Sequence, residues 1–150
     1  MKAKALLRLI ATNSKTNSDT LKLLADSDDV LTRQAVAENK NTDSETLKTL
    51  TKNINEEYDV IKAVCSNPNT DIETINSLVY SENFLFRSIV AGCKKINSEL
   101  LNILSKDDCY EVRLNVAENP NTDIKTLKDF TKDENIYVCR AATKRLEKII

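Results

Sequence analysis

The feature that most constrains this chain is a motif that recurs along its length. "AVAENKNTDSETL" at 35–47, "AVCSNPNTDIETI" at 63–75 and "NVAENPNTDIKTL" at 115–127 are near copies of one another. Aligned on one position, which we call the anchor, the copies recur every 26 residues, with one interval of 28. The anchors are Thr16, Thr42, Thr70, Ile96 and Thr122. A fixed period of this length is typical of repeat proteins in which identical small units stack. We predict a single helical-repeat domain over residues 1–150.

Apolar spacing predicts two helices in each repeat. Ten, seven and six positions before the anchor, apolar residues recur at helical spacing, as in Val60, Ala63 and Val64. Five and eight positions after the anchor a second stripe recurs, as in Leu47 and Leu50. The two extra residues of the long interval fall in "KNINEEYD", where the chain should turn between repeats. The fold class expected is all-α, with about five 26-residue two-helix repeats.

The turn between the two helices carries the most regular letters of the motif. Thr42 with Glu45 three residues later predicts a capping box at the start of the second helix. An asparagine stands three residues before four anchors, where the first helix must end. These residues are Asn13, Asn39, Asn67 and Asn119. We interpret the turn as structural, because a turn is needed in every repeat, and expect Asn67→Ala to cost about 1 kcal/mol. The alternative is a ligand-binding loop.

Charged residues follow the same period. An acid stands fourteen residues before each anchor from the second repeat onward and one period further, where a carboxylate would favour the N-terminus of the first helix. These acids are Asp28, Glu56, Glu82, Asp108 and Glu134. Arg33, Arg87 and Arg113 each follow one of them by five residues. We predict an acid–arginine ladder that bridges neighbouring repeats, the alternative being arginines that grip an anionic ligand.

The segment "VRLNVAENPNTDIKTLKDF", 112–130, and its weaker copies resemble the leucine-rich repeat variant family and, more broadly, HEAT-like helical repeats. The resemblance implies a right-handed α-solenoid. One relative carries an iron–sulfur module before its repeats, but the cysteine cluster for it is missing from this chain, so no cofactor is expected.

After Tyr137 the turn motif is missing, and Val138, Ala142 and Leu146 share one helical face. A capping helix is therefore predicted over about 137–150. The terminal Ile149 and Ile150 either fold back on the last repeat or mark an oligomer contact, and a monomer is otherwise expected.

Composition removes several functional classes. The chain contains no histidine and one glycine, so Ser-His-Asp or Cys-His catalysis and a glycine-rich phosphate loop are excluded. Four cysteines lack C-x-x-C spacing, so we expect reduced thiols and no metal site. They are Cys65, Cys93, Cys109 and Cys139. The apolar run at Ala5–Ala11 is short and contains Arg8, which predicts a cytoplasmic protein without signal peptide or membrane span.

The remaining hypothesis is a non-enzymatic protein-interaction module whose partner's identity the sequence does not give. The predicted contact residues face outward on the second helices or occupy the irregular fourth turn, where "AGCKKI" departs from the motif. They are Asn76, Tyr80, Lys94, Lys95, Asn102 and Lys106. A solvated face without a function is the alternative interpretation. The alternative function is a nucleic-acid-binding HEAT-like repeat protein, disfavoured by the net charge of −1, and a DNA glycosylase-like enzyme is favoured least.

Overall fold

The computed structural model describes residues 2–52 and 57–149 of the chain. Within those residues the secondary structure is helical throughout, which confirms the all-α prediction. The helices are α1 (Lys2–Thr12), α2 (Ser18–Leu24), α3 (Val30–Glu38), α4 (Ser44–Leu50), α5 (Tyr58–Ser66), α6 (Ile72–Val79), α7 (Phe84–Ala91), α8 (Ser98–Leu104), α9 (Tyr110–Glu118), α10 (Ile124–Phe130) and α11 (Ile136–Ile149). Residues 53–56, in the segment that contains the two-residue insertion, lie outside the described residues, and Glu56 is among them. Ile150 also lies outside.

The chain divides into two compact units, Met1–Thr74 and Ile75–Ile150. In the first unit the first helices of successive repeats pack on one another, α1 on α3 and α3 on α5, with α2 and α4 beside them. In the second unit α7 packs on α9 and α9 on α11, with α8 and α10 beside them. Each unit therefore shows the pairing of neighbouring repeats that the period predicts. The single domain remains a prediction.

The stripe predicted for the second helix of each repeat lies in the core. Leu21, Leu47, Leu101 and Leu127 each expose 1% of their surface or less. Burying a leucine stabilises a fold by roughly 1.5–3 kcal/mol, so this one position is a major contributor in every repeat. The predicted capping helix is α11, whose Val138 and Ala142 are fully buried.

The predicted capping box is wrong, because the residue after the anchor caps the second helix. The side chains of Asn17, Asp43, Asp71, Asn97 and Asp123 accept hydrogen bonds from the backbone N–H three residues later, at 2.6–2.9 Å. Carboxylate and amide oxygens are the strongest N-caps, so the residue beside the threonine outcompetes it. The threonine hydroxyl therefore does not cap the second helix.

The anchor threonines close the first helix instead. Each Thr Oγ1 donates to the carbonyl six residues earlier, in the last turn of that helix, at 2.5–2.6 Å. The four threonines are Thr16, Thr42, Thr70 and Thr122. Each of these carbonyls also accepts from the backbone N–H of the asparagine that follows the helix, at 3.1–3.2 Å, so the hydroxyl is a second donor to the last turn of the first helix.

The asparagines three residues before the anchor connect neighbouring repeats. Asn39, Asn67 and Asn119 are buried C-caps with extended backbone. Each Oδ1 accepts from the N–H two residues on, at 2.9 Å. Each Nδ2 donates to two carbonyls of the preceding repeat, at 2.6–3.0 Å. The turn motif is therefore structural, as predicted, and it also fixes one repeat against the next.

A second asparagine strengthens the same connection. Asn41, Asn69 and Asn121 stand directly before their anchors, and each Nδ2 donates to two further carbonyls of the preceding turn, at 2.8–2.9 Å. We call the two sets together the asparagine ladder. Arg145 stands 26 residues after Asn119 and therefore holds the repeat position of the first asparagine set. It donates to the carbonyls of Ala117, Asn119 and Pro120. A guanidinium thus closes the ladder where an asparagine would otherwise stand.

Candidate functional site

The arginines of the repeat form the predicted ladder with acids of the following repeat. Arg87 and Arg113 make two-pronged pairs with Asp107 and Asp133, with nitrogen–oxygen distances of 2.6–3.1 Å. Arg8 pairs in the same way with Asp29, and Arg33 with Glu57. A third nitrogen of Arg33, Arg87 and Arg113 donates to the carbonyl six residues earlier. The guanidinium groups are engaged within the fold, which favours the structural interpretation over an anion grip.

Among the described residues, Glu134 is an acid that the period singled out and that joins this ladder, because Arg113 Nη2 also donates to Glu134 Oε1 at 3.3 Å. Asp28, Asp108 and Glu134 are each next in sequence to the aspartate that makes the two-pronged pair. The side chains of Asp28 and Glu134 are more than four-fifths exposed. Asp29 instead caps α3 and pairs with Arg8. Spacing locates the acidic region of each repeat, but only packing decides which of several adjacent acids reaches the arginine.

Pairing shifts the titration of both partners. The pKa of Asp29 is well below its usual range, chiefly because Arg8 and Thr32 donate hydrogen bonds to the carboxylate. Burial alone would raise the pKa values of Asp107 and Asp133, but hydrogen bonds and charge from Arg87 and Arg113 outweigh it and lower both. The hydrogen bonds that Arg87 and Arg113 donate to these carboxylates raise the pKa values of both arginines. The ladder therefore favours the ionised acids.

At pH values under about 4, the ordinary range for these acids, the free energy of unfolding should decrease. Between about pH 5 and 8 it should stay level. Because the folded-state pKa values are depressed, the pairs stabilise the fold above the unfolded-state pKa and are lost as pH falls. The chain has no histidine to titrate at intermediate pH. Thermal melts across this range test the expectation. Asp107→Asn should make the acid loss shallower, and a fold that gains stability on acidification would contradict it.

The six residues predicted to contact a partner all lie in the second compact unit. Asn76 is half-buried on α6, and Tyr80 follows the end of that helix with 70% of its surface exposed. Lys94 and Lys95 are exposed in the turn before α8, while Asn102 is exposed on α8 and Lys106 just after it. The six residues therefore occupy α6, the connection after it, α8 and the two connections that flank α8.

The lysines among them do not form one patch. Lys94 and Lys95 precede α8 and Lys106 follows it, so the length of a seven-residue helix, about 10 Å, separates them. Lys106 lines a shallow depression whose other residues are Asp107, Asp108, Arg113, Asp133 and Glu134. Acids surround this ammonium group, so it would attract an acidic partner only weakly.

A second surface was missed by the sequence reasoning. The first residue of each odd-numbered helix from α3 onward is large, apolar or aromatic, and partly exposed; these are Val30, Tyr58, Phe84, Tyr110 and Ile136. In the second unit Leu85 and Tyr137 extend the set, so five such side chains are each 38–59% exposed. We call Phe84, Leu85, Tyr110, Ile136 and Tyr137 the aromatic row. The signal was present as an apolar or aromatic residue twelve positions before each anchor from Thr42 to Thr122.

Packing brings the aromatic row together. Arg87, in the first turn of α7, bonds Asp107 just before α9, and Arg113 likewise joins the start of α9 to that of α11. These pairs hold the N-termini of three packed helices side by side. Neighbouring helix axes lie about 8–10 Å apart, so the row extends over roughly 20 Å. The pKa of Tyr110 is raised, mainly by its hydrogen bond with Glu111.

A cleft of about 410 Å³ lies on the first compact unit, beside α3 and α5. Its charged lining consists of Glu38 and Asp59 with Lys40 and Lys62. Acids and bases balance there, so the cleft has no clear preference for an ion of either sign. The aromatic row offers the more selective chemistry.

The four cysteines form no disulfide bonds with one another. Cys65 and Cys93 are buried in the core, as a small packing residue would be. Burial, followed by the hydrogen bond to Glu111, raises the pKa of the Cys109 thiol. A reactive cysteine requires the opposite shift, so Cys109 is not set up as a nucleophile.

Three further findings complete the description. Across residues 2–52 and 57–149, the helices are too short or too polar for any to cross a membrane. In the same part of the chain, histidine, cysteine and acidic side chains do not gather into a group of three or more that could hold a metal ion. Comparison with family models, curated proteins and solved structures finds no match to the chain.

Proposed function

We propose that this protein is a non-enzymatic protein-interaction module, built as a right-handed α-solenoid of the kind that the leucine-rich repeat variant resemblance implies. The repeated bonds of the asparagine and arginine ladders support stacking of equivalent repeats within each compact unit. Stacked repeats present the same side-chain position again and again along one surface, which is how repeat proteins hold extended partners. Four cysteines without a disulfide among them support a reducing, cytoplasmic location.

The aromatic row carries this proposal. Tyrosine and phenylalanine supply large contact area with few rotatable bonds, and they are enriched at the energetic centres of protein interfaces. Exposed acids lie around the row, among them Asp108 and Glu134, whereas the nearby arginines are neutralised by Asp107 and Asp133. The partner that fits is therefore an apolar segment flanked by lysine or arginine. An extended strand of about six residues would span the row.

The group around Tyr80 is a second surface of the same module. Tyr80 is the more exposed aromatic, but its predicted neighbour Lys106 lies among acids. Asn76 Oδ1 is buried and lacks a hydrogen-bond partner among the described residues, so a partner's donor could satisfy it. The two surfaces make separable predictions about binding.

Nucleic-acid binding is the alternative function, and two observations disfavour it. Four arginines are paired with carboxylates: Arg8, Arg33, Arg87 and Arg113. An arginine that left its pair to bind a phosphate would leave a carboxylate without a counterion. The net charge of −1 gives no general attraction to phosphates. A salt-dependent gel shift with duplex DNA would support the alternative; the expected result is no shift.

Affinity capture from host lysate with mass spectrometry, followed by measurement of binding to the purified partner, tests the proposal. Tyr110→Ala combined with Tyr137→Ala should weaken binding at least tenfold, about 1.4 kcal/mol, while the melting temperature changes little. Tyr80→Ala combined with Lys106→Glu should weaken it less. The reason is that the row presents several adjacent aromatic groups and the Tyr80 group presents one.

Tyr58→Ala is the matched control, because Tyr58 holds the same repeat position in the first compact unit and lies outside the row. It should leave affinity unchanged. Reversed ranking of the two double variants would move the site to the Tyr80 group. If both double variants bind the partner with full affinity, neither surface is the binding site, and the proposed mode of interaction is wrong. Substitutions on the first-helix face, at Gln34, Lys62 and Ser88, complete the comparison.

A further inference from the structure

The outer face of α1 carries apolar residues that equivalent positions elsewhere bury. Leu6 and Leu9 stand ten and seven residues before the first anchor, and they are 57% and 67% exposed. At the first of these positions Thr32, Val60, Val112 and Val138 are 0% exposed. Leu7 and Ala11, on the opposite side of α1, belong to the core that includes α3. Leu6 thus occupies a position that later repeats bury, and Leu9 is exposed three residues further along the same helix.

Asn13 is poised in the same direction. It holds the ladder position of Asn39, Asn67 and Asn119, and its Oδ1 accepts from the Lys15 N–H in the same way. The other three donate from Nδ2 to two carbonyls of a preceding turn. Among the described residues, no acceptor receives the Nδ2 hydrogens of Asn13. The face therefore combines an apolar contact with a matching, unused pair of donors.

A second copy of this chain cannot satisfy that face by stacking end to end. The last first-helix, α11, continues to Ile149, so its carbonyls at 143 and 145 are bonded within the helix. Those are the positions whose counterparts in other repeats accept from the asparagine. The outward residues of α11 are also charged and exposed, including Arg140, Lys144 and Glu147. Such an end resembles the polar cap of a repeat array, whereas α1 does not.

We propose that the face formed by Leu6, Leu9 and Asn13 is a docking surface for the C-terminal edge of another helical repeat. The occupant is a helix that runs parallel to α1 and ends in a turn. Its last turn offers two carbonyls, two residues apart, to the Asn13 amide, as Ala37 and Asn39 offer theirs to Asn67. A small residue at the first of these positions allows close approach, since the corresponding acceptors are Ala11, Ala37 and Ala91.

A grafted repeat tests the surface. Residues 107–135, which comprise α9, α10 and the connection that leads to α11, are joined directly to Lys4, so that the motif keeps its register. If the face accepts a repeat, amide hydrogens in the grafted copy of α9 should exchange at least about 100-fold more slowly than in an unfolded chain. Leu6→Asp with Leu9→Asp should abolish that protection in the graft.

The controls separate docking from general destabilisation. Ile103→Asp changes a comparably exposed aliphatic residue on α8, and the graft should stay protected. In the parent chain, Leu6→Asp with Leu9→Asp should shift the melting temperature by less than about 3 °C, because both side chains are already exposed. An unprotected graft, or protection that survives both aspartates, would overturn the proposal. Sedimentation showing a parent dimer that the aspartates dissociate would assign the face to a second copy and overturn the stated occupant.

Discussion

Asn67→Asp is expected to lower the free energy of unfolding by about 3–5 kcal/mol. The substitution keeps the shape and the acceptor for Asn69 N–H, but it removes the donors that bond the carbonyls of Ala37 and Asn39. It also places a carboxylate against those two carbonyls at a site that is 3% exposed. Asn67→Ala, which removes the bonds without adding a charge, should cost about 2–3 kcal/mol, more than a turn residue alone would. Urea denaturation at pH 7 measures both.

Asn13→Asp is the matched control for the ladder. The Oδ1 of Asn13 accepts the same local bond, from Lys15 N–H, but within the described part of the chain its Nδ2 donates to no carbonyl of another turn. We expect a cost below about 1 kcal/mol. The difference between the two sites isolates the bonds between repeats. Equal costs at positions 13 and 67 would show that the asparagine stabilises only its own turn.

Arg113→Ala should lower the free energy of unfolding by about 3–4 kcal/mol. The Arg113 side chain is about one-tenth exposed and bonds Asp133 through two nitrogens and the Asp107 carbonyl through a third. Its loss leaves the half-buried Asp133 carboxylate without a counterion. Arg113→Lys should recover only part of the stability, because an ammonium group cannot reproduce the planar fork.

Chemical denaturation compares these variants with Arg140→Ala, which removes an exposed arginine from α11 and should change stability by less than about 0.5 kcal/mol. Combining Arg113→Ala with Asp133→Asn should cost less than the sum of the single changes, since the two residues act on each other. An additive double variant, or a cost at Arg113 no greater than at Arg140, would mean that the pair is too well solvated to matter.

The local sequence predicted what depends on neighbours along the chain. The 26-residue period and the stripe containing Leu47 and Leu50 predicted two helices per repeat, and the missing motif after Tyr137 predicted α11. These predictions succeeded because helix formation and burial impose a spacing that can be read within ten or so residues. The prediction of the cap residues was wrong because it too used only local spacing. Thr42 and Asp43 are both good cap residues, and sequence alone did not show that the carbonyl of Val36 would take the threonine.

The candidate surfaces were only partly accessible to the same reasoning. Tyr80 was predicted to be exposed and is, but the acids around Lys106 come from residues 107, 108, 133 and 134, which packing brings to one depression. The aromatic row was visible as a periodic apolar position, yet such a position also fits a buried core. Exposure at the N-terminal ends of α9 and α11 decided between the two.

By itself, the sequence determined that the chain is helical, where its helices turn, and which residue types recur in each turn. Tertiary structure alone decided what the recurring asparagines and arginines bond, because their partners lie 20 to 30 residues away. A hydrogen bond needs its two groups within about 3 Å, and no local pattern states which distant carbonyl will be there. Packing of one helix on the next sets that distance, and it also leaves Leu6, Leu9 and Asn13 facing outward.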